Sequence, residues 1–376
     1  MILALLVGAT SFGVACEKKA STESTKGDAG SRSDKYATAD SKLTKALQAA
    51  ASSAPSAADN GPPPGGIFSP GAADQRHPRG APSKLEMLSD GAEPRVSLGA
   101  GPEVGAGALA SSLGPVLLEL GLQVGPRVAL PTVDLVVLLG ASKGAAGEPD
   151  GFLGEVKQAV PAKEQMGQLP AEAEHEIATL AGTQVLIKVT GDGRESDATF
   201  RLAKAAPADL DRFGELAAQV LALATVPQPP KPVGVGAQWI AETRMAWSGI
   251  DVLAYRAFRV KSIEGGRVTL SLDVKAYAAN QNTELQGVPK DATLEQFDAQ
   301  AQGEVEVVRS EVLARKLELE HRTVMVFRSS SAAPSQAGPG GPEGNMLTAQ
   351  LGGRARMARG EDARAAPRRG GARELR

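Results

Sequence analysis

The chain has 376 residues, with 41 Lys and Arg against 43 Asp and Glu and a single cysteine. That balance removes any global attraction to nucleic acid, and one cysteine excludes an intramolecular disulfide framework and a thiolate zinc cluster. Aromatic residues are only 3% of the chain, yet ten of the thirteen fall between Phe152 and Phe327, so a packed core is expected in that block.

Residues 2–15 are almost all apolar or small, the length of a secretory apolar region and too short to span a bilayer. Ala15 precedes Cys16, and Glu17-Lys18-Lys19 follows. This resembles a bacterial lipoprotein signal peptide, in which the cysteine receives diacylglycerol and becomes the mature N-terminus. The resemblance implies a signal at residues 1–16, lipid attachment at Cys16, and a membrane as partner through that anchor. Gly13 stands where leucine is usual, and no Lys or Arg precedes the apolar run. A start codon placed too far downstream would account for the missing charge. The competing readings are an apolar N-terminal strand or a plain cleaved signal with an incidental cysteine.

Residues 17–82 are dominated by Ser, Ala, Gly, Pro, Asp, Lys and Thr. Such a composition cannot bury enough apolar surface to fold, so this stretch is expected to be a disordered tether. About 60 flexible residues would reach roughly 40 Å. Within it, Leu43, Ala46, Leu47 and Ala50 share one helical face around residues 41–51.

Order is expected over residues 83–328. Residues 95–98 read as a weak extended segment, and 116–120 as a strand or one helical turn. Residues 132–140, "TVDLVVLLG", read as a buried strand, and 184–190 with 197–204 as a hairpin about the turn "GDGRES". The clearest helix is at 208–225. Leu210, Phe213, Ala217, Val220, Leu221 and Ala224 share a face, Asp209 and Asp211 sit in the first turn, and "PQPPKP" ends it. Beyond it, Trp239, Ala241, Thr243, Met245 and Trp247 alternate on one strand. "RVTLSLDVKAY" places Val268, Leu270, Leu272, Val274 and Ala276 inward. "RKLELEHRTVMVF" sets His321 on the face of Leu317, Leu319, Thr323, Met325 and Phe327. These strands predict an antiparallel meander with one buried face, covered by the one main amphipathic helix. The expected class is α+β, with a curved antiparallel sheet.

The passage "VPQPPKPVGVGAQW", leading into a strand marked by Trp239, resembles a group of uncharacterised bacterial envelope lipoproteins over residues 83–328, a group that carries no activity to transfer. A sheet curved over a helix is also similar to periplasmic carriers of lipoproteins and lipids.

Catalytic motifs are weak. "GAGALA" at 105–110 fits a dinucleotide turn but no strand precedes it, and "VDLVVLLGASKG" is similar to the opening of short-chain dehydrogenases without their Tyr-x-x-x-Lys pair: Arg259 follows Tyr255, and Gln281 follows Tyr277. His175 lies among Glu172, Glu174 and Glu176, but Thr179 stands where a zinc helix needs its second histidine, so this is a solvated face. A three-histidine metal site would need His77, His175 and His321 together, and His77 falls in the expected tether. His321 reads as a satisfied core histidine. No catalytic residue, metal site or cofactor is assigned, and the protein is expected not to be an enzyme.

From Ser329 onward the chain has eight arginines, no lysine and four acidic residues, a net +4. It reads as a disordered arm for anionic partners, an idle tail or out-of-frame translation. The expected role is non-catalytic binding of an apolar envelope ligand or a partner protein, with a structural envelope scaffold as the alternative. If there is a ligand cleft, it is expected between the helix and the sheet, lined by Phe213, Trp239, Met245 and Trp247, but the favoured reading of these residues is plain core.

Overall fold

The computed structural model describes residues 63–99, 112–125, 128–143, 149–190, 192–281, 285, 288–309, 311–329 and 345–360. Cys16 and its apolar run, the 41–51 helical face, the "GAGALA" turn, and residues 330–344 and 361–376 of the expected tail lie outside the described residues.

Thirteen strands form one sheet. They are β1 (Lys84–Ser89), β2 (Gly114–Val124), β3 (Val128–Ala129), β4 (Val133–Lys143), β5 (Pro149–Pro161), β6 (Gln184–Val189) and β7 (Glu195–Arg201), then β8 (Gln238–Trp247), β9 (Ile250–Glu264), β10 (Arg267–Ala278), β11 (Thr293–Val308), β12 (Lys316–Ser329) and β13 (Asn345–Arg359). Their order is β1-β8-β9-β10-β11-β12-β13-β2-β4-β5-β6-β7, with β3 beside β2. Every pairing within it is antiparallel. The sheet curls until its ends meet: the Ser83 amide and hydroxyl, just before β1, both donate to the Glu195 carbonyl on β7, at 2.9 and 3.0 Å.

Period-two alternation dictates this arrangement. On β12 the inward residues Leu317, Leu319, His321, Thr323, Met325 and Phe327 are all buried, while Glu318, Glu320, Arg322 and Arg328 face out. Outward charges pair across strands, as in Arg354 with Glu320 (2.7 Å) and Arg328 with Glu295 (3.2 Å).

Helices are few: α1 (Ala72–Arg76), α2 (Ala171–Ala178) and α3 (Asp211–Leu223). The expected α+β class is therefore corrected to a mainly β fold. The predicted helix at 208–225 exists, as a 3-10 turn at Ala208–Leu210 followed by α3. It does not cover one face of an open sheet, however. Residues 216–223 are buried without interruption, so the sheet wraps the helix on all sides. Small residues permit this: a Cβ on Gly214 would come within 2.5 Å of Phe200 on β7, so only glycine admits that strand so close.

The ordered region also starts earlier and ends later than 83–328. Within the expected tether, residues 63–83 lie on the outward face of β8–β10. Phe68 donates its amide to the Ala278 carbonyl (2.9 Å), and Phe68, Ala73, Ile240, Leu253, Tyr255, Ala257, Tyr277 and Ala279 form a second apolar cluster. Within the expected tail, residues 345–359 form β13, between β12 and β2 in the middle of the sheet. Its inward set of Leu347, Ala349, Leu351, Gly353, Ala355 and Met357 is so rich in small residues that the alternation is faint in the sequence.

Candidate apolar site inside the sheet

The inner face of the sheet and α3 make one continuous apolar core. All four residues expected to line a cleft belong to it: Trp239 and Trp247 are fully buried, and Phe213 and Met245 are each 4% exposed. Trp239 stacks on Phe258 at 5.3 Å between ring centroids. The structure thus brings the four into one packed interior, filled at this point by side chains of the sheet and helix.

The interior loosens along β13. Residues 351–359 pair with β2 and Gly125, just past β2, donates its amide to the Gln350 carbonyl (2.7 Å), but residues 345–349 run past the end of that pairing and hydrogen-bond as a strand only to β12 among the described residues. On this overhang Leu347, Ala349 and Leu351 point inward, opposite the buried Phe327, Met325 and Thr323, yet remain only half-buried. Val124, opposite Leu351 on β2, is 37% exposed. These residues form an apolar lip at one end of the interior.

His321 lies directly inside the lip. Its cross-strand neighbours are Ala301 on β11 and Gly353 on β13. Ala299, Gly303, Leu351 and Ala355 occupy the diagonals. The residue is 7% exposed, and neither ring nitrogen has a hydrogen-bond partner. Burial pushes its pKa down to about 4, so the ring is neutral at pH 7. The expectation of a satisfied core histidine fails on this point: the ring is buried but unsatisfied. Two residues further on, Thr323 accepts a hydrogen bond from the Trp247 indole N–H at 2.8 Å.

Three other buried polar clusters hold elements together. Arg256 on β9 and Glu195 on β7 are both fully buried, 3.4 Å apart. Arg256 Nη1 also donates to the Ala222 and Thr225 carbonyls (3.1 and 3.3 Å), and Nη2 to Thr243 Oγ1 and Ser83 Oγ (2.9 and 3.3 Å). One guanidinium therefore caps the C-terminus of α3 and bridges the two ends of the sheet. Burial pushes Glu195 up and Arg256 down, and each partly offsets the other.

On the outer face, Arg76 donates to Glu242 at 2.9 Å and lies over the Tyr255 ring at 5.2 Å. The fully buried His77 sits 3.6 Å from the same carboxylate and is within hydrogen-bonding distance (3.1 Å) of the Ala81 carbonyl. These contacts pin residues 63–83 to the sheet. The third cluster joins Arg359 and Arg315 to Glu311, tying the end of β13 to the segment before β12. His175, on α2, is exposed.

A shallow outer depression of about 300 Å³ is lined by Glu119, Glu304, Glu306 and Glu318 with Lys316 and Arg356. Its carboxylates are engaged by Arg356, Lys261, Arg267 and Lys316. Among the described residues no group of three or more His, Cys, Asp or Glu is placed to hold a metal ion, and no helix is long and apolar enough to cross a membrane.

The sequence singled out Trp247 and His321 separately but gave no sign that β13 joins them at one opening. The missing signal was the alternation of residues 347–357, masked by Ala and Gly inward and by arginines outward. No protein family, curated protein or solved structure matches the chain.

Proposed function

We propose that this protein is a lipid-anchored lipoprotein of a bacterial cell envelope, whose β domain binds an apolar envelope ligand without chemistry. The observation that carries the binding half is the lip. Leu347, Ala349 and Leu351 face the interior yet stay half-buried, on a strand that overhangs its neighbour. A soluble domain closes its core against water where it can, because each Å² of apolar area removed from water contributes about 25 cal/mol. An inward apolar surface that packs on the core yet stays half-buried supports a role in taking up an apolar molecule. The charged clusters favour binding over catalysis because each is spent on joining sheet ends, the outer segment or strand termini.

The anchoring half rests on Cys16 and its surroundings in the sequence. The chain from Cys16 enters the described structure at Pro63 and is then pinned to the outer face of β8–β10.

Two measurements test the two halves. Labelled fatty acid fed to a bacterial host expressing the full gene is expected to enter the wild type and not Cys16→Ala. Native mass spectrometry of the full chain, extracted in mild detergent, is expected to show lipid retained beyond the covalent anchor. A mass carrying the anchor alone would favour a scaffold role.

A further inference from the structure

We infer that the outer face of β2, β4, β5 and β6 is an interface with a second copy of this chain. The two copies pack sheet to sheet about a two-fold axis that crosses the strands at Leu138.

Other parts of the outer surface are covered or charged. Residues 63–83 lie over β8–β10, and further along the sheet outward positions carry ion pairs such as Arg267 with Glu306 and Arg354 with Glu320. Across β2, β4, β5 and β6 the outward positions are largely apolar instead. Leu117 stands opposite Val136, Pro115 opposite Leu138, and Leu153 opposite Leu186. Leu138 and Leu153 sit on adjacent strands, one step off direct register, and are 46% and 41% exposed. Glu155, opposite Leu138, is held by Lys157 at 2.6 Å. A contiguous exposed apolar face of this kind marks an interaction surface.

The charges at the two ends of this face identify what covers it. At one end Asp134 faces Glu119 across the strand pair, with Glu164 adding to the repulsion. Glu119 has Arg356 at 3.5 Å, but Asp134 has no ion pair among the described residues. At the other end Lys143 and Lys188 are exposed, and neither forms an ion pair among the described residues, although Asp197 stands opposite Lys188. Leu138 lies midway, about 14 Å along the strand from Asp134 and about 17 Å from Lys143. Aligned sheets pack face to face about 10 Å apart. A two-fold axis between two such faces, at right angles to the strands at Leu138, sets Asp134 of each copy against Lys143 of the other. It also lays Leu138 against its own counterpart, so the interface is self-complementary. An anionic lipid surface would match the lysine end and repel the acidic one.

The test cross-links the full chain, expressed in a bacterial host, with a short bismaleimide. The wild type, whose only cysteine is Cys16, supplies the background. Leu138→Cys is expected to give a linked pair of chains well above that background, and Arg322→Cys, outward on β12, is not. Within the Leu138→Cys chain, Lys143→Glu or Asp134→Lys alone should lower the linked fraction several-fold, because each sets like charges together at both ends of the interface. The two substitutions together exchange the charges and should restore it. Thermal unfolding checks that each variant is folded. A Leu138→Cys chain that links no better than the wild type would overturn the interface. A double variant as poorly linked as the single ones would overturn the two-fold arrangement. Labelling of Leu138→Cys by a membrane-confined probe, without cross-linking, would overturn the second copy in favour of a lipid surface.

Discussion

Two regions of the same interior treat a buried base in opposite ways. At the seam, Arg256 is fully buried and both its terminal nitrogens are engaged, by Glu195, two helix carbonyls and two hydroxyls. At the lip, His321 is nearly as buried and its ring has no hydrogen bond. A fold that can surround one cation with five acceptors does not lack the means to satisfy an imidazole. The seam is where the sheet must close, so its polar groups meet one another. At the lip the pairing is less complete than at the seam, where only Arg256 Nε and one Glu195 oxygen go without a partner. The residue opposite the ring is glycine because a Cβ there would come within 2.0 Å of the Gly121 carbonyl oxygen.

Breaking the seam should have the largest effect. Arg256→Ala leaves Glu195 buried without its counter-charge and uncaps α3, so a loss of about 3–5 kcal/mol is expected in urea unfolding. Replacing both members by apolar residues, Glu195→Leu with Arg256→Met, should recover most of that loss, because a buried ion pair barely outweighs its desolvation. A double variant as unstable as the single one would show that the contacts to Ala222, Thr225 and Thr243 outweigh the pair itself.

The lip should respond to acid. The His321 pKa lies near 4 when folded, below the ordinary value of 6.5. Its contribution to stability is therefore complete above pH 6.5 and is lost as pH falls through about 4. Relative to His321→Leu, the wild type should lose roughly 2–3 kcal/mol between pH 7 and pH 4. Parallel pH profiles for the two proteins would mean that the ring is solvated rather than buried.

How much of this could be read from the sequence divides along the same line. The strands bearing large alternating residues were legible: β8 with Trp239 and Trp247, β10 with Val268 to Ala276, β12 with Leu317 to Phe327, and likewise α3 with its Pro-rich stop. β13 was not, because Ala and Gly carry little hydrophobic signal and Arg354 and Arg356 look like tail charge until Glu320, Glu119 and Glu318 appear opposite them. Residues 63–83 were read as tether because their apolar content is small, and they order only by borrowing Tyr255, Tyr277 and Leu253 from a face the sequence marks as polar. Four of the residues expected at a site proved to share one packed core. Their relation to an opening depended on β13, which lay in the part of the sequence taken for a tail.

The outer segment offers a smaller test of whether every engaged cluster is structural. Burial alone would raise the Glu242 pKa, but the nearby His77 ring, the hydrogen bond from Arg76 and the charges of Arg76 and Lys84 hold it below the usual range. A depressed carboxylate stabilises above its unfolded value and loses that contribution as pH falls through the folded one. Glu242→Gln should therefore cost about 1–2 kcal/mol at pH 7 and little at pH 3. Limited proteolysis should show residues 63–83 cut earlier in the variant, with α3 still protected.

The smallest effect should come from outside the lip side of the sheet. On β4, Asp134 faces Glu119 directly across the strand pair, and like charges so placed destabilise a sheet. Burial, then Glu119 and Glu164, push its pKa up to about 6. A carboxyl with a raised pKa favours the fold below its unfolded value, and that contribution is lost as pH rises through 6. Asp134→Asn should thus stabilise the protein at neutral pH and change nothing at pH 3. Asp134 is only half-buried, so solvent screening reduces the expected gain to about 1 kcal/mol. The same variant sharpens the contrast between seam and lip. If repulsion on the outer face strains the lip, relieving Asp134 should also shift the His321 titration. If the lip is set by the β13 overhang alone, stability should rise while the His321 titration stays unchanged, and this second outcome is the one expected.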